Sequence, residues 1–243
     1  MRWDAKLAIA VAVVGISLLS GDSSLRAAQG VAVGMATKVV SPAQVNQQPA
    51  AVGTLAHMND ELHTGAKARL QVSFRDSTEL TLGENATVVV DHFIFDPDES
   101  TGTALLKTGV GAFRMATGKI SELKDKKITV STPYATLGVR GTDFWWGPVD
   151  GRFGVLLISQ SKLEVRNDAG AVLIDKAGYG TDIDPMKGAN GAPSQPYKWP
   201  PAKVAQALSQ TNVAVLTPVN PGIIAPLVPI IPVTPQQPGP KSP

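Results

Sequence analysis

Apolar and polar residues alternate through the central part of the chain, and this alternation predicts short β-strands. In the clearest run, Leu70, Val72 and Phe74 are separated by polar residues, so one face of the strand is apolar and the other is polar. About ten such segments are present, and turn residues separate them at intervals of about 8 to 12 residues. This spacing favours a sandwich, barrel or roll over alternating strands and helices. The pattern therefore predicts an all-β domain over residues 52–184.

The predicted strands are bounded by residues that favour turns. Asp76 to Thr78 and Gly83 to Asn85 provide two early turns, and Asn167 to Gly170 predicts a hairpin between the last two strands. Besides the run at Leu70, the alternating segments are Leu80 to Leu82, Val88 to Val90, Phe93 to Phe95, Ala104 to Lys107, Gly111 to Met115, Ile128 to Ser131, Gly154 to Gln160, Leu163 to Arg166 and Ala171 to Ile174. The one strong helix signal lies outside this domain, where Pro201 begins a run that ends at Leu208.

Two flanking segments differ from the domain in composition. Residues 29–51 are small, apolar and turn-rich, and we interpret them as an N-terminal extension with one early strand among Val31 to Val40. Residues 185–243 hold 14 of the 19 prolines and four lysines but no acid. Within this proline-rich tail, prolines recur every third residue from Pro226 to Pro238, which matches one edge of a polyproline II helix. The tail is therefore predicted to be extended, either as a docking segment or as a spacer.

The N-terminus has the order of a secretory signal. Arg2 and Lys6 precede an uncharged run over residues 7–19, and small polar residues follow this run. The run has 13 residues, fewer than the roughly 20 that cross a bilayer, so cleavage after export is favoured over a permanent anchor. We therefore expect a signal peptide over residues 1–28 and a periplasmic or secreted mature chain. An uncleaved signal anchor, the only expected contact with the membrane, is the alternative.

Composition narrows the compartment and the chemistry. The chain of 243 residues is 43% hydrophobic, which suffices for one sizeable core, and it contains no cysteine. The absence of cysteine excludes a disulfide framework, thiol chemistry and a lipid-modified cysteine anchor. A net charge of +2 gives no reason to expect nucleic acid as a partner. An exported chain of this kind fits a bacterial envelope.

The most specific motif lies near the middle of the chain. Ile128 to Val130 predicts a strand whose pairing ends at Pro133, and Gly138 and Gly141 suit bends or close backbone approach. The motif resembles the signature of the FecR domain family in the segments Thr132-Pro133 and Val139-Arg140-Gly141-Thr142-Asp143-Phe144. Further similarity to the family is found in Leu62-His63-Thr64-Gly65, Asp76-Ser77, Leu105 to Phe113 and Gly178-Tyr179. The glycine that is usual in the Asp76-Ser77 turn is absent, as is the glycine that relatives carry near Ser159 to Lys162.

The resemblance implies an all-β fold, a β-roll or sandwich, which binds protein partners and holds no cofactor. In FecR regulators this domain lies outside the inner membrane and relays the occupancy of an outer-membrane receptor to a sigma factor. Six residues precede the apolar run here, so an anti-sigma domain is not expected. The resemblance therefore favours a non-catalytic binding or scaffolding protein whose partner is an envelope protein or a cell-wall component. The alternative is an accessory in transmembrane signalling that senses receptor occupancy with a separate membrane partner.

The FecR-like motif also supplies the candidate partner-binding residues, which are Arg140, Gly141, Thr142, Phe144, Trp145 and Trp146. The guanidinium of Arg140 either receives an anion or partner carboxylate, or bonds Asp143 and backbone carbonyls, which is the interpretation we favour. The two tryptophans point to opposite faces of one strand, so at least one is expected to face outward. That ring either stacks on a sugar or a partner, or lies beneath another part of the chain. Tyr197 and Trp199 are candidates for the covering contact.

Signals for catalysis and metal binding are weak. His57 and His63 are six residues apart, which is not a recognised zinc spacing. The acidic loop from Asp96 to Ser100 lacks the glycine and the distal glutamate of a full calcium loop, and no nucleophile-elbow or dinucleotide pattern is present. An enzyme acting on envelope polysaccharide would have to use carboxylates of this loop or others such as Asp91 and Asp143, and is the least favoured alternative. We therefore expect a protein that has no enzymatic activity and binds no metal and no cofactor.

Overall fold

The computed structural model describes residues 30–159 and 161–213, in which two nine-stranded β-sheets are joined by short connections. Strands are numbered β1 to β18 in chain order. Sheet A contains β1 (Gly34–Val40), β4 (Leu55–Ala56), β6 (Arg69–Phe74), β7 (Glu79–Leu82), β10 (Phe113–Ala116), β13 (Asp143–Val149), β14 (Arg152–Leu157), β17 (Tyr179–Ile183) and β18 (Tyr197–Lys198). Sheet B contains β2 (Ala43–Val45), β3 (Gln48–Pro49), β5 (Glu61–Thr64), β8 (Thr87–Asp96), β9 (Thr101–Thr108), β11 (Asp125–Ser131), β12 (Thr136–Val139), β15 (Leu163–Asn167) and β16 (Gly170–Ile174). Helix α1 spans Pro201–Ser209, and two 3₁₀-helices span Lys119–Glu122 and Pro185–Asn190.

The chain crosses repeatedly between the two sheets. The strand order is β18-β17-β14-β13-β10-β7-β6-β1-β4 in sheet A and β16-β15-β12-β11-β9-β8-β5-β2-β3 in sheet B. Neighbouring strands of the described chain are antiparallel except β9 and β11, which run parallel from the pair of Thr101 with Asp125 to that of Lys107 with Ser131. A parallel pair needs a crossover connection, and here the chain passes through β10 of sheet A before it returns to sheet B. Each sheet is therefore completed only by segments that are distant in sequence.

The inner faces of the two sheets share one apolar core. Leu70 of sheet A and Leu106, Leu137 and Val165 of sheet B are fully buried in the same cluster. In sheet B the residues on either side of them along each strand are more exposed, because successive side chains of a strand point to opposite faces. Burying each such aliphatic side chain contributes about 1.5–3 kcal/mol relative to leaving it in water. The all-β prediction is confirmed, and the sheets pack face to face as a sandwich.

A second, smaller apolar cluster lies on the outer face of sheet A, under helix α1. Trp145 of β13 packs with Trp199 and with Ala207 of α1, and the two indole rings are 6.1 Å apart between centroids. Trp199 also lies directly on two glycines of the sheet, because a Cβ atom at Gly154 would come within 2.7 Å of its ring and one at Gly180 within 2.5 Å. The predicted short helix is therefore present, and it covers the sheet.

A buried ion pair fixes the same helix to sheet A. The Nζ atom of Lys203 donates to Oδ1 and Oδ2 of Asp182 at 2.7 and 2.8 Å and to the hydroxyl oxygen of Tyr197 at 3.0 Å. It also lies 4.4 Å from the centroid of the Trp199 ring. Burial alone would lower the pKa of Lys203, but the hydrogen bonds to Asp182 and Tyr197 raise it above its ordinary value. The charge that α1 carries into the apolar cluster is thus fully paired.

A buried carboxylate connects the β6–β7 hairpin to the 3₁₀-helix that precedes β11. Asp76 is fully buried and accepts hydrogen bonds from the backbone N–H and the hydroxyl of Thr78 at 2.9 and 2.6 Å, and from the backbone N–H of Ile120 at 3.1 Å. Ser77 has φ +68°, the left-handed conformation that a glycine would adopt more readily. The turn packs so closely on Gly118 that a Cβ atom there would collide with the Asp76 carbonyl oxygen. The turn therefore keeps its compact geometry without the glycine.

Eighteen strands are present where the alternation predicts about ten. The strands β3, β4 and β18 have two residues each, which is too short for a period of two to be recognised. Conversely, the predicted segments Val88 to Val90 and Phe93 to Phe95 form one strand, β8. A register shift between Val90 and His92 interrupts the alternation in the middle of this strand, as a β-bulge does. Very short strands and a bulge therefore account for much of the difference.

The sheets extend beyond the predicted boundaries at residues 52 and 184. Strand β1 lies between β4 and β6 in sheet A, and β2 pairs with β5 in sheet B. The described part of the predicted extension 29–51, which is residues 30–51, therefore contributes to both sheets instead of forming a separate extension. On the C-terminal side, β18 and α1 pack on sheet A. The predicted signal peptide over residues 1–28 and the prolines from Pro226 lie outside the described residues. Within residues 30–159 and 161–213 no helix has the length and apolar character that crossing a membrane requires.

Candidate partner-binding surface

The three aromatic residues of the FecR-like motif are buried. Phe144 and Trp146 lie in the main core, where their rings stack with 4.9 Å between centroids. Trp146 also stacks on Phe113, with 5.2 Å between centroids. Trp145, on the opposite face of the strand, is covered by Trp199 and helix α1. All three motif aromatics have no exposed surface. The interpretation of Phe144, Trp145 and Trp146 as partner-binding residues is therefore wrong, because a partner would have to remove core or helix to reach them.

Gly141 and Thr142 serve the packing at the end of the β10–β13 pair, next to the first 3₁₀-helix. Gly141 has φ +77°, and a Cβ atom there would come within 2.8 Å of the Ser121 Cβ atom, so both its conformation and its surroundings favour glycine. Thr142 is buried, and its backbone N–H donates to the hydroxyl of Thr117 at 2.7 Å. The backbone N–H of Thr117 returns a bond of 3.0 Å to the Thr142 carbonyl. The expectation of close backbone approach at Gly141 agrees with this geometry, and neither residue offers a side chain to a partner.

Arg140 is the one candidate residue whose side chain is exposed. The predicted bond to Asp143 is not formed, since both carboxylate oxygens of Asp143 accept from Arg114, at 2.9 Å from Nε and 2.6 Å from Nη2. This hydrogen bond raises the pKa of Arg114, although partial burial opposes it. Within the part of the chain that the structure describes, the Arg140 guanidinium forms no hydrogen bond or ion pair. The structural interpretation of Arg140 is therefore wrong, and its charge is available to a partner.

Three exposed cations lie side by side on the outer face of sheet B. Strands β11, β12 and β15 are neighbours, with Ile128 opposite Val139 and Val139 opposite Leu163. One residue further along this register, the three neighbouring positions are occupied by Lys127, Arg140 and Lys162. The backbone N–H of Arg140 donates to the carbonyl of Lys162 at 3.2 Å. Adjacent strands are about 4.8 Å apart. We call these three residues the cationic row.

Two adjoining hollows lie beside the cationic row. One, of about 400 Å³, is over β12, β15 and β16, and the other, of about 440 Å³, is over β11 and β12. They share Gly138, Arg140 and Glu164, and Lys124 and Lys126 add two more cations to the second. A partner group could therefore rest in either hollow while it contacts the row.

Gly138 gives the two hollows a common floor. A Cβ atom at this position would meet the Glu164 side chain alone, at 3.6 Å from its Cβ atom and 4.0 Å from Oε2, both ordinary van der Waals contacts, and φ is not positive. Neither the backbone nor the packing therefore requires glycine here. Its effect is to leave the centre of this sheet face open, and the expectation of a bend or close approach at this glycine is wrong.

The hollows keep a net positive charge. Glu164 is the only acid among the described residues that line them, and its Oε1 atom accepts two hydrogen bonds from Arg166. The remaining charged lining residues are cationic, and carboxylates or phosphates are the groups that a lysine and arginine cluster attracts. Of the cations that line the hollows, the FecR-like motif contains Arg140 alone. Only the register of three strands reveals Lys127 and Lys162 as its neighbours.

The acids and histidines considered for catalysis and metal binding form local contacts in the structure. Asp91 forms an ion pair with Lys107 at 3.1 Å, and Asp96 accepts backbone N–H groups of its own turn. His57 contacts Asp60, with 3.2 Å between Nδ1 and Oδ2. Among residues 30–159 and 161–213 no group of three or more histidines and acids is placed to hold a metal ion. These side chains therefore support turns and strand pairs.

Residues 60–172 match the family model described as FecR protein, which confirms the resemblance over that range. Two solved structures are similar to the chain, both of a candidate anti-sigma factor from Parabacteroides distasonis, at 1.65 Å and 2.50 Å resolution. Each is 18% identical in sequence with a TM-score of 0.48, and each match covers 61% of this chain. This chain spans 64% and 63% of the two structures, less than two thirds of their length. No curated protein matches the chain.

Proposed function

We propose that the FecR domain over residues 60–172 makes this chain a signalling-related binding module of the bacterial envelope, which acts on its partners without catalysis. The observation that carries the proposal is the exposed cationic row. The guanidinium of Arg140 is not used by the described fold, and Gly138 beside it leaves room for a ligand group. A planar guanidinium in such a position binds carboxylate or phosphate oxygens in pairs. We therefore assign partner recognition to this face of sheet B.

The absence of catalysis is supported by how the acids are used. Catalysis by carboxylates requires two of them to face a common cleft. Here Asp143 is held by Arg114 and Asp91 by Lys107, so each has its own cation. The face that is open to ligands carries lysines and arginine, with one paired glutamate. A binding function uses this charge distribution better than acid–base chemistry does.

Export is part of the proposal and depends on the sequence of the leader. A charged start followed by a short apolar run is the order that secretory signals share. The test is fractionation of cells that express the full chain with a C-terminal tag. We expect a periplasmic or secreted product whose mass lacks the leader, and a Val13→Arg variant that stays in the cytoplasm. A full-length product in the cytoplasm of wild-type cells contradicts this part of the proposal.

Partner recognition is tested by cross-linked purification from the native envelope fraction. The Arg140→Met/Lys162→Met variant removes two charges from the cationic row and keeps most of the aliphatic side-chain volume. Arg75→Met is the matched control, because Arg75 is also exposed and its side chain has no partner in the described chain. We expect a partner protein that is captured by the wild type and by the control and is lost from the double variant. Equal capture by all three chains would reject the cationic row as the binding site.

This binding function has two possible forms, a scaffold and a signalling accessory, and the FecR match favours the signalling accessory. In that case the captured partner is a receptor, a transporter or a regulator in the inner membrane, and its capture depends on whether the receptor is occupied. A scaffolding role predicts capture that is constant with receptor ligand. Repeating the purification with and without iron-chelate nutrients in the medium separates the two.

A further inference from the structure

Strand β16 is an unusually open edge of sheet B. The other three sheet edges are β3, β4 and β18, which have two residues each. Strand β16 has five residues, Gly170–Ile174, and contains neither proline nor a charged residue. Natural proteins usually protect an edge by shortening it, by placing lysine or proline on it, or by covering it. Among the described residues no strand pairs with the free side of β16.

The free side of β16 presents backbone groups at two positions. A two-residue loop joins β15 to β16, and Asn167 and Gly170 close it. The closing pair of such a hairpin exchanges two hydrogen bonds, and every second pair after it does the same. Val172 and Ile174 therefore direct their backbone groups to β15, whereas Ala171 directs its N–H and C=O outward. Leu173, two residues further along, does so too, and its side chain is 51% exposed.

The two faces beside this edge differ in chemistry. On the inner side, Val172 and Ile174 are buried and continue the apolar core. On the outer side, the first hollow reaches from the β16 edge to Lys162 and Arg140 of the cationic row. A strand added at the edge would alternate its side chains between these two environments. Acidic residues suit the outer positions and apolar residues suit the inner ones.

We propose that β16 accepts an extended, acidic segment of a partner protein as an additional strand of sheet B. The inference rests on the proposed function and specifies its binding mode. Backbone hydrogen bonds to Ala171 and Leu173 supply the affinity, and carboxylates directed toward Arg140 and Lys162 supply the selectivity. The partner segment has acidic and apolar residues in alternation over about the length of β16.

Two other occupants fit the observations less well. A second copy of this chain, paired edge to edge through β16, would bring two cationic rows to the same face, where like charges repel. An acidic polysaccharide could contact Lys162 and Arg140, but it lacks the alternating N–H and C=O groups that a strand edge binds. The observations therefore favour a polypeptide of opposite charge.

The experiment measures binding of a labelled peptide that alternates glutamate with valine to the full exported chain, by fluorescence anisotropy. A peptide that alternates lysine with valine is the charge control, and polygalacturonate is the carbohydrate probe. Leu173→Pro removes the outward N–H without breaking the ladder to β15, and Leu173→Ala is its matched control. Arg140→Met/Lys162→Met tests the charges, and circular dichroism with thermal unfolding establishes that each variant is folded.

We expect the glutamate peptide to bind and the lysine peptide not to bind, with affinity that falls as salt is added. Leu173→Pro should raise Kd at least about fivefold, because it removes one backbone hydrogen bond to the peptide and its ring obstructs the edge. Leu173→Ala should leave Kd within about twofold of the wild-type value. The double charge variant should raise Kd about two- to thirtyfold. Hydrogen exchange should slow at the amides of Ala171 and Leu173 when the peptide is bound, since only these two face the edge.

Four results would overturn the proposal. Binding of the glutamate peptide that is unchanged by Leu173→Pro excludes strand addition, and binding of polygalacturonate with equal affinity indicates a carbohydrate site. A dimer by light scattering that Leu173→Pro dissociates identifies a second copy as the occupant. If the envelope partner is still captured by Leu173→Pro but lost from the double charge variant, strand addition fails while the proposed function stands. If neither the wild type nor any variant captures a partner, the proposed function fails, whatever the peptide experiment shows.

Discussion

Replacing Asp182 by asparagine removes the charge that holds Lys203 on sheet A. Both side chains are nearly buried, with relative exposures of 10% and 8%, and the ammonium group has two bonds to the carboxylate and one to Tyr197. Removing one partner of a buried ion pair costs about 3–5 kcal/mol, because the other charge is left unpaired. Asparagine still accepts one hydrogen bond, so we expect Asp182→Asn to lower the free energy of unfolding by about 3 kcal/mol. This corresponds to a fall in Tm of about 6–12 °C.

The measurement is urea unfolding followed by tryptophan emission, which reports on Trp145 and Trp199 beneath α1 together with Trp146 in the main core. The double variant Asp182→Asn/Lys203→Met removes both charges and leaves an apolar chain of similar length on Trp199. We expect it to lie within about 1 kcal/mol of the wild type, because a buried ion pair contributes little net stability when both members are replaced. A loss below about 1 kcal/mol in the single variant, or no recovery in the double variant, would refute the reasoning that the pair carries the docking of α1.

Lys203, Gly118 and Arg114 can each be tested by the same unfolding measurement. Because the folded-state pKa of Lys203 is raised, its ion pair with Asp182 contributes its full stability at neutral pH and loses it only as the pH rises through the folded-state pKa. The difference in unfolding free energy between wild type and Lys203→Met, measured in urea titrations, should therefore be constant from about pH 6 to 9. It should shrink above about pH 10.4, the ordinary pKa of lysine. Gly118→Ala should cost about 3 kcal/mol or more by the same assay, because the new Cβ atom collides with the Asp76 turn. Arg114→Met should cost at most about 1 kcal/mol, since its pair with Asp143 is partly exposed to solvent, and a larger loss of Tm would contradict that estimate.

The sequence predicts the parts of this fold that depend on local alternation. Leu70, Val72 and Phe74 face the core from β6, as their period of two requires, and Asn167 to Gly170 forms the expected hairpin turn. The family motif is found within residues 60–172. Strands of two residues and the bulge in β8 escape the same reasoning, because a period cannot be recognised in two residues and a bulge reverses its phase.

The candidate site depends on contacts that local pattern does not contain. Arg140 and Asp143 are three residues apart and suggested a pair, but Asp143 binds Arg114, which precedes it by 29 residues, because β10 and β13 are neighbours in sheet A. Likewise Trp145 is covered by Trp199, which follows it by 54 residues. The order of strands in each sheet decides these partners, and nothing within a window of ten residues specifies that order.

The interior position of β1 in sheet A has a practical consequence for anyone who isolates this domain. An expression fragment cut to residues 60–172 would omit β1, β2 and β17, and so leave β6, β5 and β14 without the strands beside them. The same cut would strip the outer tryptophan of its helical cover. Three newly unpaired strand edges and the exposed Trp145 ring would promote self-association. The smallest soluble fragment should therefore begin near residue 31 and end near residue 213.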